Sequence, residues 1–140
     1  METNTTAISI GQTINAPVEK VWDYFSNPEH ITGWNNASED WFTPRAQNDL
    51  RAGGSFVYRM ESRDGKYGFD FGGTYDSIKE KEYMEYTIGD GRKVKVHFIP
   101  EGNATRIEES FEPESQNPIE MQRSGWQAIL DNFKKYTESH

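Results

Sequence analysis

The sequence predicts an α+β fold: a curved antiparallel β-sheet wrapped around a long C-terminal α-helix, with two short helices between the first two strands. Three observations point to it. Between residues 55 and 111, alternating runs are broken by Asp64-Gly65, by Asp90-Gly91 and by "PEGN", and Asp-Gly between alternating runs is a strong short hairpin signal. The chain closes on "NPIEMQRSGWQAILDNFKKYTESH", whose apolar residues recur on one stripe. It opens with a strand that runs directly into a helix. A sheet with one apolar face and a single amphipathic helix bury those faces against each other.

The elements follow in order. In "AISIGQTINAPVEKVWDYFSN", Ile8, Ile10, Gln12 and Ile14 alternate as one strand face. Pro17 suits the first helical position. Val18, Val21, Trp22 and Phe25 then fall at i, i+3, i+4 and i+7, with the helix ending near Asn27-Pro28. Across 28–54 the periodicity fails. A second short helix is expected there, then a long irregular stretch holding Trp34 and Trp41. Unstructured segments of that length in small domains tend to be lids or binding loops, so an ordered lid is the expectation.

From Ser55 to Phe111, "SFVYRMES", "YGFDFGGTYDSI", "YMEYTI", "KVKVHFI" and "TRIEESF" read as a meander of about five strands. Tyr67, Phe69, Phe71, Gly73 and Tyr75 fall at every second position and share one strand face. Gly72-Gly73 would permit a bulge or a sharp bend. In the last helix, expected over 118–136, Asn117 is placed to cap, with Pro118 in the first turn and Glu120 for the reciprocal bond. Ile119, Trp126, Ile129, Leu130 and Phe133 make its stripe. The whole chain, 1–140, reads as one domain, with neither repeat nor linker.

Composition narrows the function. The chain carries 8 Phe, 7 Tyr and 4 Trp, and a mean hydropathy of -0.91 reflects few aliphatics. Large rings packing around a curved sheet leave room for a cavity. A net charge of -8 argues against nucleic acid, whose phosphates it would repel, and against a polybasic membrane anchor. No cysteine is present, which excludes disulfides and thiolate chemistry. "METNTTAISI" has neither a basic n-region nor an apolar h-region, so no signal peptide is expected. No apolar run reaches the roughly 18 residues of a membrane span. A cytoplasmic location is therefore the default expectation. The tripeptide Asp70-Phe71-Gly72 matches a kinase metal-binding motif, but the glycine-rich loop and catalytic loop of a kinase are absent.

The stretches "INAPVEKVWDYFSNPEHITGW" (14–34), "RAGGSFVYRM" (51–60), "FGGTYDSI" (71–78) and "GWQAILDNFKKY" (125–136) resemble the START-like (SRPBCC, Bet v-like helix-grip) superfamily. Within it they resemble the family related to the C-terminal domain of the heat-shock-90 ATPase activator. The resemblance implies a pocket between sheet and C-terminal helix, often ring-lined and used for lipophilic small molecules. Members of the superfamily include lipid carriers, polyketide cyclases and hormone receptors. The eukaryotic activator carries a further N-terminal domain for which this chain has no room, so a chaperone partner is a secondary expectation.

Trp34, Trp41, Phe56, Tyr58, Phe69, Phe71, Tyr75 and Trp126 are the expected pocket wall; each could equally be ordinary core. Thr105, Ile107, Glu109 and Phe111 share a face, which would bury Glu109. A buried carboxyl is protonated, paired with an arginine or open to a cavity mouth, unless a register slip returns it to solvent. Gln122 lies on the apolar stripe one turn before Trp126, as a polar handle in the pocket or a cap on the core edge. Asp70 and His97 have the parity of solvent-facing residues. His30, His97 and His140 lack any metal-ligand spacing, so no metal or cofactor is expected. No G-x-S-x-G elbow occurs.

Three functions remain. The first is non-catalytic binding of a hydrophobic or aromatic small molecule by a monomer or weak homodimer. The second is a cyclase- or hydrolase-type enzyme using Glu109, Tyr58 or Tyr75 as acid or base. The third is a chaperone-related interaction module. An enzyme needs converging polar groups, and only Glu109 and Gln122 stand out, which favours binding.

Overall fold

Seven strands lie in one antiparallel sheet in the order β1-β7-β6-β5-β4-β3-β2. The computed structural model describes residues 7–140. The reading of the first residues as lacking a leader lies outside them. Five strands form the expected meander: β3 (Ser55–Ser62), β4 (Gly68–Lys79), β5 (Tyr83–Ile88), β6 (Lys93–Glu101) and β7 (Ala104–Phe111). β1 (Ile8–Ile14) adds to one edge by pairing with β7, and β2 (Trp41–Asn48) to the other by pairing with β3. Gly65 and Gly91 take positive φ in their turns, 77° and 93°, as Asp-Gly hairpins require. The "KEKE" turn places a non-glycine, Lys81, in the same region at φ 66°.

Between β1 and β2 come α1 (Val18–Ser26) and α2 (Pro28–Trp34). Pro17 is the N-cap of α1 rather than its first residue. The Asn27 side chain accepts from the Glu29 amide, and Pro28 opens α2, so the dipeptide that stops one helix starts the next. The stretch expected to be largely irregular is therefore mostly regular. Its second half was hidden because β2 carries Pro44 beside a register shift between Phe42 and Arg45. A strand tolerates proline at an edge or bulge, and β2 is the sheet edge.

The last helix, α3 (Ile119–Ser139), runs three residues past the expected end. Its N-cap is Pro118, with no side-chain capping bond. Asn117 instead bonds the Glu114 carboxylate through its Nδ2, so the reciprocal cap is not formed. Ile119 is exposed, and the buried stripe starts at Gln122. α3 is tied to β1 by Gln12 Nε2 donating to Asp131 (2.9 Å), Gln127 Nε2 to the Gly11 carbonyl (3.1 Å) and Lys134 Nζ to the Thr13 carbonyl (2.7 Å). Asn132 Nδ2 donates to the Trp34 carbonyl at 2.8 Å and ties α3 to α2.

β4 does not bulge at the glycine pair. Its register shift lies between Tyr75 and Ser77. The glycines serve close approach: a Cβ on Gly72 would press on the Phe56 carbonyl, and one on Gly73 on the Thr87 carbonyl. The sheet can coil tightly there because neither side chain exists. α3 lies against β1, while the far strands β3, β4 and β5 stand off from its backbone. That separation creates the space described next.

Candidate functional site

A cavity of about 210 Å³ lies between the sheet and α3. The strands supply its wall through period-two alternation. β3 contributes Phe56, Tyr58 and Met60; β4 contributes Phe71 and Tyr75; β5 contributes Met84 and Tyr86. Register brings these together, with Tyr58 opposite Phe71, Phe56 opposite Gly73, and Tyr75 opposite Tyr86. The gap left at Gly73 gives room to the Phe56 ring, whose centroid lies 5.3 Å from Tyr75 and 5.1 Å from Tyr86. α3 contributes Trp126, Ile129 and Leu130, and α1 and α2 close the rest with Phe25 and Trp34. Trp126 stacks on Phe111 at 3.9 Å and meets Phe71 edge-on at 6.3 Å.

Polar groups on this wall are few. Asn35 is buried and donates from Nδ2 to Thr43 Oγ1. The Tyr75 hydroxyl donates to Asn48 Oδ1 at 2.7 Å. Burial pushes the Tyr75 hydroxyl up to about 12 against the lowering effect of Asn48. Tyr58 is also held well above its ordinary value, by burial first and then by Tyr75. Tyr86 is raised by burial and by Glu109. All three stay neutral at physiological pH.

Glu109 sits on the buried face of β7, 8% exposed, opposite Ile10 on β1 and Val96 on β6. It lines the cavity, and no hydrogen bond to its carboxyl is found among the described residues. Burial alone raises its pKa to about 8. Of the three possibilities open to a buried carboxyl, pairing with an arginine is not found among the described residues; Glu109 opens onto the cavity, and burial favours its protonated form at neutral pH.

Of the ten residues expected at the site, the cavity gathers Trp34, Phe56, Tyr58, Phe71, Tyr75, Glu109 and Trp126. Three lie elsewhere. Phe69 is 47% exposed: its parity is right, but that end of β4 extends beyond the layer α3 covers. Trp41 packs on Phe69 at 5.9 Å, outside the cavity. Gln122 is buried yet faces the loop before α3, where its Oε1 accepts from the Glu114 amide and its Nε2 donates to the Glu114 and Asn117 carbonyls. It fastens the helix start, the core-edge alternative. Tyr67 is exposed as well, so the aromatic face splits between cavity and surface.

The expected lid is also corrected. Trp34 is 4% exposed and donates from Nε1 to the Tyr24 carbonyl at 2.8 Å, so it belongs to the wall as part of α2 and not to an irregular segment. Asp70 and His97 face solvent as expected, Asp70 at 3.5 Å from Arg59. Missed by the sequence reading were Phe25, Asn35, Met60, Met84, Tyr86, Ile129 and Leu130. Met84 and Tyr86 had a usable signal, since "YMEYTI" alternates with both on one face. Asn35 had none.

Among the described residues no group of three or more His, Asp or Glu side chains is arranged to hold a metal ion. Nor is any helix there long and apolar enough to cross a membrane.

A seven-stranded sheet curled past one long helix, with a ring-lined cavity between them, defines a START-like helix-grip domain. The chain belongs to the Activator of Hsp90 ATPase homolog 1-like family, whose model matches residues 15–138. The solution structure of an AHSA1-like protein from Aeromonas hydrophila is 40% identical, with a TM-score of 0.91 over 96% of this chain and 93% of that one. A protein from Cytophaga hutchinsonii is 53% identical, with a TM-score of 0.83 over 95% and 92% of the two chains. A Chromobacterium violaceum protein, 21% identical with a TM-score of 0.85 over 95% and 98%, shares the fold. No curated protein matches the chain.

Proposed function

We infer that the chain binds a hydrophobic or aromatic small molecule, lipid- or polyketide-like, between sheet and α3, without transforming it. The observation that carries this reading is the 210 Å³ cavity, walled mostly by rings and methionines, with few polar groups to set orientation. Sites for small molecules have this character: apolar area supplies affinity, and a few polar atoms supply specificity. The cavity wall rests on regular elements, so the space exists before any ligand arrives and little ordering cost falls on binding.

A panel of flavonoids, fatty acids and polyketide-like compounds tests the reading by thermal shift and by quenching of tryptophan fluorescence, since Trp34 and Trp126 border the cavity. A binder raises the melting temperature as its concentration exceeds its dissociation constant. A second reading has one observation in its favour. Glu109 shares the cavity with Tyr58, Tyr75 and Tyr86, and a perturbed acid beside hydroxyls is what acid–base chemistry uses. Turnover of a panel compound that Glu109→Gln abolishes, with binding retained, would decide for the enzyme. Silence across the panel would turn attention to an interaction module, with the exposed rings of Tyr67 and Phe69 as its surface.

A further inference from the structure

Resting on that binding reading, we propose that the cavity selects an organic cation: an apolar or aromatic amine whose ammonium group pairs with Glu109 while its hydrocarbon body lies among the rings. Three independent features converge. Glu109 as a residue is nine-tenths buried, and its carboxyl borders the cavity and lacks a hydrogen-bond partner among the described residues. A polar group in that position carries an unmet interaction that a ligand can complete. Among the described residues no lysine, arginine or histidine borders the cavity, so the cavity wall supplies no countercharge. The countercharge is left to the ligand.

The second feature is the wall. Phe56, Tyr58, Phe71, Tyr86 and Trp126 ring the space. Aromatic faces carry the negative end of the ring quadrupole and attract ammonium groups, which is how aromatic cages recognise amines. Anionic ligands find no cationic side chain on the wall to pair with, and the ring faces present them the wrong end of the quadrupole. The third feature is the field of the whole protein. A net charge of -8 favours the approach of cations over that of anions. Fatty acids and other carboxylates are thus disfavoured in a cavity whose shape would otherwise admit them.

The titratable groups facing Glu109 across the cavity are Tyr75 from β4, Tyr58 from β3 and Tyr86 from β5, all neutral. β1 and β6 place Ile10 and Val96 beside it, and α3 places Trp126, Ile129 and Leu130 on the cavity. None of these competes for its charge. Burial favours the protonated form of Glu109 at neutral pH when no cation faces it. When a protonated amine enters, the Glu109 O–H bond breaks, the proton leaves to solvent, and the ammonium N–H donates to the carboxylate. Nothing is oxidised or reduced. Binding therefore releases a proton and tightens as pH rises toward the Glu109 value of about 8.

Naphthylmethylamine, naphthylmethanol and naphthoic acid share one ring body and differ in charge, so they separate shape from electrostatics. Calorimetric titration into the whole protein, in two buffers of different ionisation enthalpy, reads affinity and proton release together. The expected result is that the amine binds about tenfold or more tighter than the alcohol, with net proton release, while the acid binds most weakly. Glu109→Gln keeps the shape but cannot ionise, so it should abolish the proton release and most of the gap between amine and alcohol, leaving only the part that the rings supply. Equal binding of amine and alcohol, an amine advantage undiminished in Glu109→Gln, or binding without proton release would each overturn the inference and leave the cavity reading standing. If none of the three probes binds, and the hydrophobic panel is also silent, the cavity reading falls and takes this inference with it.

Discussion

Replacing Glu109 by glutamine should stabilise the protein at neutral pH and do much less at acid pH. Glu109 has an ordinary carboxyl value of 4.5 when unfolded and about 8 when folded. Between those values the folded state binds the proton that the unfolded state has lost. Its raised pKa therefore costs stability progressively as pH rises from 4.5 toward 8, and costs nothing below 4.5. Integrating proton binding from pH 5 to pH 7 gives a loss of about 2–3 kcal/mol in the wild type, at about 1.4 kcal/mol per pH unit once the unfolded carboxyl is fully ionised. Glutamine is uncharged throughout and escapes this term.

For a domain of this size that difference corresponds to roughly 10 °C in melting temperature. The assay is thermal or urea unfolding of both proteins at half-unit steps from pH 4.5 to pH 8.5. Only the difference between them is read. Asp64, Asp76, Glu114 and Glu138 are held below their ordinary values by hydrogen bonds, so their stabilisation is lost as pH falls. That opposite trend is common to both proteins and cancels. A wild-type-minus-variant curve that stays flat across the range would refute the reasoning, because Glu109 would then be ionising freely in water.

Trp126→Ala should lower stability by about 3 kcal/mol, the low end for removal of a large ring, because one face of Trp126 already borders the cavity. An unchanged melting temperature would show that the stack on Phe111 carries nothing. Gly73→Ala forces a Cβ onto the Thr87 carbonyl and should cost about 1–3 kcal/mol in urea unfolding; a neutral result would mean that β4 and β5 can separate without loss. Phe69→Ser should cost about 1 kcal/mol, well below the loss of a core ring, since Phe69 is 47% exposed and its ring meets only Trp41 among the aromatic contacts of the described residues. A loss as large as that of Trp126→Ala would return Phe69 to the core.

Local pattern determined the elements. Period-two runs broken by Asp-Gly, and a four-turn apolar stripe at the chain end, specify strands and helix through forces that act within a few residues. The meander, the closing helix and the parity of Glu109 were legible for that reason. Proline and capping signals misled by a residue or more, at Pro17 and Asn117, because several polar groups compete for each helix start. The edge strand β2 was not legible: its pairing partner is β3, and Pro44 masks its alternation.

What parity could not supply is extent. Phe69 and Phe71 have the same parity two residues apart, yet only Phe71 meets Trp126, because α3 covers a limited length of β4. Gln122 lies on the buried stripe, but its direction was decided by the carbonyls of Glu114 and Asn117 folding back over the helix start. Trp34 and Trp41 looked alike in sequence and were separated by the turn between α2 and β2. The cavity itself belongs wholly to tertiary structure. It exists because α3 is tied to β1 while the sheet coils away from it, and no sequence window reports the distance between elements far apart in the chain. Sequence alone put Glu109 on the apolar parity of β7 and left its burial open; only the assembled sheet shows it buried, with no partner for its carboxyl among the described residues.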